Sequence, residues 1–196
     1  MTWALLALAG AYLISAIPFG YLLLKLGAGR DIRQAGSGNI GATNAFRAGG
    51  RAFGIATLLL DIAKGAFCVA LTLWLTRDPA WAAASAFVAV LGHCFPVYLR
   101  FKGGKGIATG CGAFGLLAPL PMAITLGVFL CAMLVTRMVS VGSICAGVAL
   151  PLLIFWLKPD RALMLAVIAA ALLVIARHQA NIRRILKGGE HRIDGA

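Results

Sequence analysis

Acidic side chains are scarce. The 196 residues contain six, Asp31, Asp61, Asp78, Asp160, Glu190 and Asp194, scattered so that no two suggest a local carboxylate pair. A magnesium site built from clustered carboxylates is therefore hard to assemble. No HExxH segment and no Cys/His cluster offers a zinc site, and no GxSxG nucleophile elbow is present. His93, His178 and His191 lack an aspartate five residues on, which excludes the His-x4-Asp dyad of acyl-thioester-dependent glycerolipid acyltransferases. The five cysteines, Cys68, Cys94, Cys111, Cys131 and Cys145, form no CxxC pair and read as small buried hydrophobes. The opening Met-Thr-Trp has no basic n-region, so the expectation is a retained first helix rather than a cleaved signal. Charge of either sign is also low, at 12% of residues against about 25% in soluble domains.

What replaces charge is hydrocarbon. The chain is 61% hydrophobic, with a mean hydropathy of +0.93. That composition predicts an all-α polytopic membrane protein, one domain over 1–196. Trp3–Leu24 is free of charge and long enough to cross about 30 Å of hydrocarbon. Ala52–Thr76 is a second span, with Asp61 and Lys64 inside it, and Pro79–Leu99 a third. The uncharged run Gly106–Thr136 has 31 residues, too many for one helix, with Pro119 and Pro121 at its middle. It reads as two short spans joined near the prolines. Met138–Leu157 and Ala162–Ala176 bring the expected number to seven.

The net charge of +12 is distributed unevenly. Fourteen lysines and arginines follow the odd-numbered spans, while the opposite side has Arg77, Lys158 and Arg161. Basic residues accumulate on the cytoplasmic side, which places the N-terminus outside and the C-terminus, with segment 177–196, in the cytoplasm. Charge lying between apolar runs points to anionic lipid or anionic substrate, and no nucleic-acid partner is expected.

Three segments on the basic side carry the polar chemistry. Gly36-Ser37-Gly38-Asn39-Ile40-Gly41 contains a literal GxGxxG, but no strand or βαβ unit surrounds it, which removes the dinucleotide reading. What remains are converging backbone N–H groups, the donors of Ser37, Asn39, Thr43 and Asn44, and the planar fork of Arg47. A flexible polar loop is the plain alternative. The second segment runs from Gly92 to Thr109. Its Lys105, between glycines at a helix start, sets an ammonium beside free N–H groups, whereas Arg100 and Lys102 read equally well as membrane-surface anchors. In the third, His178 and Asn181 are three apart, on one helical face. Asp61 and Lys64, also three apart within a span, read as a paired structural brace within reach of a substrate.

The stretches GSGNIGATNAFR (36–47), GHCFPVYLRFKGGKGIAT (92–109) and RHQANIRRILKGGE (177–190), with LLLDIAKG (58–65) between, resemble the motif regions of the bacterial acyl-phosphate:glycerol-3-phosphate acyltransferase (PlsY) family. The resemblance covers essentially the whole chain. It implies a seven-helix enzyme of the bacterial inner membrane, its active site facing the cytoplasm. Such an enzyme transfers a fatty acyl group from acyl phosphate to the 1-hydroxyl of glycerol 3-phosphate and needs no cofactor or metal. It implies Ser37, Asn39, Gly41, Thr43 and Asn44 as an acyl-phosphate cradle. Arg47, Lys105, His178 and Asn181 would hold glycerol 3-phosphate and the developing charge, with Ser143 a further substrate contact. Besides the two substrates and membrane lipid, a soluble acyl-phosphate-forming enzyme is a candidate partner. A small anion channel or transporter is the competing class, although three outer basic residues build no matching vestibule.

Overall fold

The computed structural model describes residues 1–193, so the last three residues of the expected cytoplasmic tail lie outside the described residues. Ten α-helices and two 3₁₀ turns make up the described chain, which has no strand. They are α1 (Thr2–Ser15), α2 (Phe19–Ala28), α3 (Ala42–Gly49), α4 (Arg51–Thr76) and α5 (Pro79–Cys94). Then come α6 (Ile107–Leu117), α7 (Pro119–Thr136), α8 (Val139–Leu157), α9 (Arg161–Arg177) and α10 (Gln179–Leu186).

Local chemistry sets the boundaries. Asp78 caps α5 by accepting from Ala80 N at 2.8 Å, with Pro79 in the first turn, where a missing N–H costs nothing. Asp160 caps α9 by accepting from Leu163 N at 2.7 Å. Arg77 and Arg137 end α4 and α7 in the left-handed region, with φ of 54° and 59°. The 31-residue apolar run breaks at Ala118, immediately before Pro119.

Five stretches are long and apolar enough to cross a membrane: Thr2–Ala28, Arg51–Thr76, Pro79–Leu99, Pro119–Thr136 and Val139–Leu157. A sixth arises if α9 and α10, bent by 54° between them, are counted as one. Of the two spans expected to be short, α7 reaches 18 residues and only α6, with 11, falls short of a full crossing. The first span is interrupted as well, since Pro18 separates α1 from α2.

The outward faces are large and apolar, including Leu6, Leu59, Phe67, Leu126, Leu152 and Leu172. The interior is built from small residues, including Ala82, Ala86, Val90 and Ala113, around Phe114 and Ile154. In lipid, helices associate by close packing rather than by escape from water, which favours such residues at their contacts. The α4–α6 crossing is the tightest instance. A Cβ at Gly65 would strike the Thr109 carbonyl, and one at Gly112 would strike that of Ile62. This contact places the start of α6, with Lys105 just before it, against the middle of α4.

The brace expected on α4 is present. Lys64 Nζ lies 2.8 Å from Asp61 Oδ1 and donates to Ile17 O, at the α1–α2 break, at 2.8 Å. His93 Nδ1 stands 3.6 Å from the same Asp61 oxygen, so the brace extends to α5. All three side chains are buried. The Lys64 ammonium supplies a second donor to the Ile17 carbonyl next to the proline break, which also accepts from Phe19 N at 3.1 Å.

Candidate active site

A polar cavity of about 170 Å³ lies among the loop before α3, the loop before α6, the start of α8 and the α9–α10 corner. Ser37, Asn39, Gly41, Thr43, Asn44, Arg47, Lys105, Ser143, His178 and Asn181 all line it, from four separate stretches of chain. Asp61 and His93 of the brace reach it as well. A second, apolar cavity of about 650 Å³ adjoins it, bounded by α4, α6, α7, α8 and α9. Thr43, Arg47, Gly106 and Phe129 line both, so the two share a wall at Arg47.

The loop before α3 is organised by two asparagines. Asn44 is 2% exposed; its Nδ2 donates to the carbonyls of Ile32, Ala35 and Asn39, and its Oδ1 accepts from Ser37 N at 2.9 Å. Asn39 Oδ1 accepts from Gly41 N at 2.8 Å. The side-chain oxygens of both face backbone, and so these residues shape the loop. Gly41 caps α3 without a side-chain bond. The first N–H groups of α3 therefore remain available to an anion beside Ser37, Thr43 and Arg47.

On the opposite wall, Lys105 Nζ donates to Asn181 Oδ1 at 2.7 Å. Burial holds the Lys105 ammonium down to about 8, against the upward pull of Glu190, with Arg184, Arg47 and Arg177 adding to the depression. His178 is 1% exposed, and its Nδ1 lies 2.7 Å from Val174 O. A carbonyl only accepts, so Nδ1 carries the proton, and Nε2 of the neutral ring is the acceptor. The bend between α9 and α10 falls at His178, so His178 and Asn181 do not share one straight helix; both still line the cavity. Ser143 Oγ donates to Val139 O of its own helix at 2.9 Å.

Two residues that sequence reasoning did not single out bind this wall together. Glu190 accepts from Ser140 Oγ (2.9 Å), Asn181 Nδ2 (2.6 Å) and Arg184 Nε (2.8 Å). Burial pushes its carboxyl up, but these bonds outweigh it and hold Glu190 below the usual value. Arg177 donates to the carbonyls of Gly103 and Gly104, at 2.9 and 3.1 Å. The scarcity of acids was the available signal for Glu190. Nothing in sequence separates Arg177 from its basic neighbours. Among the described residues no group of three or more His, Cys, Asp or Glu could hold a metal ion.

The profile of one protein family, described as Glycerol-3-phosphate acyltransferase, matches residues 5–188. The glycerol-3-phosphate acyltransferase of Syntrophotalea carbinolica is 46% identical over 193 residues, covering 98% of each chain. That of Geobacter sulfurreducens is 43% identical over 188 residues, covering 96% of each. Among solved structures, the fold is similar to PlsY (YgiH), an integral membrane glycerol 3-phosphate acyltransferase, in its glycerol 3-phosphate form. The TM-score is 0.92 at 36% identity, over 97% of this chain and 95% of that one. The lysophosphatidic acid form of the same enzyme gives a TM-score of 0.88 at 35% identity, over 96% and 94%.

Proposed function

The chain belongs to the glycerol-3-phosphate acyltransferase family, and from that premise we propose that it moves a fatty acyl group from acyl phosphate to the 1-hydroxyl of sn-glycerol 3-phosphate. The products are lysophosphatidic acid and inorganic phosphate, and the step opens phospholipid synthesis. One observation carries this reading: a cation-lined polar cavity adjoins, at Arg47, a larger apolar cavity among the helices. Two phosphates suit the first, and a fatty chain suits the second. A channel reading needs no large apolar cavity beside the cations.

In this mechanism the acyl phosphate lies with its phosphate on the α3 N-terminus, Ser37, Thr43 and Arg47, and its chain in the apolar cavity. Lys105, His178 and Asn181 hold glycerol 3-phosphate, with Ser143 alongside. The 1-hydroxyl oxygen attacks the acyl carbonyl carbon, the carbon–oxygen bond to phosphate breaks, and inorganic phosphate departs. The hydroxyl proton passes to the phosphate of glycerol 3-phosphate itself, whose second pKa is about 6 like other phosphate monoesters. His178 Nε2 and Asn181 orient the hydroxyl, and no acyl-enzyme forms. The donor is already activated, so proximity and charge stabilisation suffice and no metal or cofactor takes part. The uneven distribution of basic residues supports a site on the cytoplasmic side of the inner membrane, where a soluble acyl-phosphate-forming enzyme would supply the donor. The test uses purified protein in detergent with labelled glycerol 3-phosphate. Lysophosphatidic acid should form with palmitoyl phosphate and not with palmitoyl-coenzyme A, at the same rate with chelator present. Equal turnover of the thioester defeats the assignment of the donor.

A further inference from the structure

Lys105 is held by a loop with no regular structure of its own. Residues 103–106 run between the end of one helical turn and the start of α6. From one side His93 supports this loop: Gly104 N donates to His93 O at 3.1 Å, and a Cβ at Gly104 would fall on the buried His93 imidazole. From the other side comes Arg177. Its Nη2 donates to Gly103 O and its Nε to Gly104 O, while its guanidinium carbon sits 5.2 Å from the Phe95 ring centre. Two parallel donors from one planar group onto consecutive carbonyls fix orientation as well as distance. Arg177 also immediately precedes His178 and lies four residues from Asn181. It is not among the residues lining the polar cavity.

We propose that Arg177 is the positioning residue of this active site, a fork that fixes the Lys105 loop to the α9–α10 corner and so sets Lys105 relative to His178 and Asn181. This rests on the reading of the polar cavity as the glycerol 3-phosphate site. The Lys105–Asn181 bond alone does not fix this spacing, because it holds only the end of a flexible four-carbon side chain. The Arg177 fork holds the loop's backbone itself. A lysine at 177 would keep the charge over Phe95 but, as a compact point charge, lose the paired geometry.

The experiment compares wild type, Arg177→Gln and Arg177→Lys in detergent, each checked for cooperative thermal unfolding. Steady-state kinetics are measured with palmitoyl phosphate and glycerol 3-phosphate across pH. The groups facing Lys105 are Glu190 from the tail, Arg184 from α10, Arg47 from α3 and Arg177 with His178 from the end of α9. Removing the cation at 177 while loosening the loop should shift the alkaline limb of the glycerol 3-phosphate KM to higher pH. In Arg177→Gln that KM should rise at least ~10-fold, with kcat and the KM for palmitoyl phosphate close to wild type. Arg177→Lys should show a smaller rise in the same KM. A merely structural arginine would lower the melting temperature and move the limb through its lost charge, but leave the glycerol 3-phosphate KM below the limb where it was. Folded Arg177→Gln with a wild-type glycerol 3-phosphate KM below the limb overturns the proposal. If the glutamine variant does not fold, a wild-type glycerol 3-phosphate KM in Arg177→Lys overturns it. Wild type that fails to use glycerol 3-phosphate would instead remove the functional reading beneath it.

Discussion

Lys105 Nζ and Asn181 Oδ1 lie 2.7 Å apart, joining the loop before α6 to the short helix α10 across 76 positions of sequence. Asn181 is itself oriented by Glu190, whose Oε1 accepts from its Nδ2. The amide oxygen is thereby turned toward the lysine, because the nitrogen end is already committed to a carboxylate. A half-buried ammonium with a single neutral acceptor still has donors to spare. A phosphate entering the cavity supplies the charge it lacks.

Removing either cation should therefore be costly. Lys105→Ala and Arg47→Ala are each expected to lose at least ~10²-fold in kcat/KM, as a buried charge-assisted contact in a transition state is worth about 3 kcal/mol. Arg100→Ala, an exposed residue outside both cavities, should stay near wild type. Steady-state kinetics of the three variants, with folding checked by melting, make the comparison. Near-normal kinetics in folded Lys105→Ala would take that residue out of the site.

The same lysine should give the enzyme an alkaline limit. With Lys105 lowered to about 8, the cationic form dominates below that pH and is lost as pH rises through it. The KM for glycerol 3-phosphate should then climb above pH 8, by up to about tenfold per unit if the charged form alone binds. Lys105→Arg cannot deprotonate in this range and should remove the limb, at a cost in fit. A limb that persists unchanged in that variant belongs to another group.

Much of this site could be read in sequence, and the reasons are local. A GSGN loop running into Arg47, a lysine between glycines and a His–Asn pair each announce an anion in a short window. Nothing in sequence, though, distinguishes a ligand from the residue that shapes its loop. Asn44 has the composition of a phosphate contact, but its amide spans three backbone carbonyls. Arg177 has the composition of a membrane-surface anchor, but it holds two carbonyls on a distant loop. Hydrophobic runs located the helices well, apart from two proline effects. Pro18 splits the first span, and Pro119, at the expected join, begins the second of the two helices but leaves it 18 residues long rather than short. A proline at a helix start and one that breaks a helix look alike until the preceding residue's conformation is known.

Gly104 offers a test of the loop's packing. A methyl there has no room beside the His93 imidazole, which is 4% exposed and cannot swing away. Gly104→Ala should lower the melting temperature, overpacking typically costing 1–3 kcal/mol, and should also raise the KM for glycerol 3-phosphate by displacing Lys105. Gly10→Ala, where nothing lies within 4 Å, should change neither. Normal melting and kinetics in Gly104→Ala would show that the loop has slack.

The proposed topology rests on the basic residues and is tested by single-cysteine labelling of intact cells on a cysteine-free background. A cysteine replacing Lys158 should react with a membrane-impermeant reagent added outside, and one replacing Arg100 should not. The reverse pattern would invert the orientation.

The account turns on direct transfer between two bound phosphates, and one rapid-mixing experiment addresses it. Enzyme is mixed with palmitoyl phosphate alone, and both phosphate release and intact protein mass are followed before glycerol 3-phosphate is added. Direct transfer predicts no early phosphate and no mass increase, then lysophosphatidic acid and phosphate in equal amounts once the acceptor arrives. A burst of phosphate stoichiometric with enzyme, accompanied by a palmitoylated protein, would contradict it.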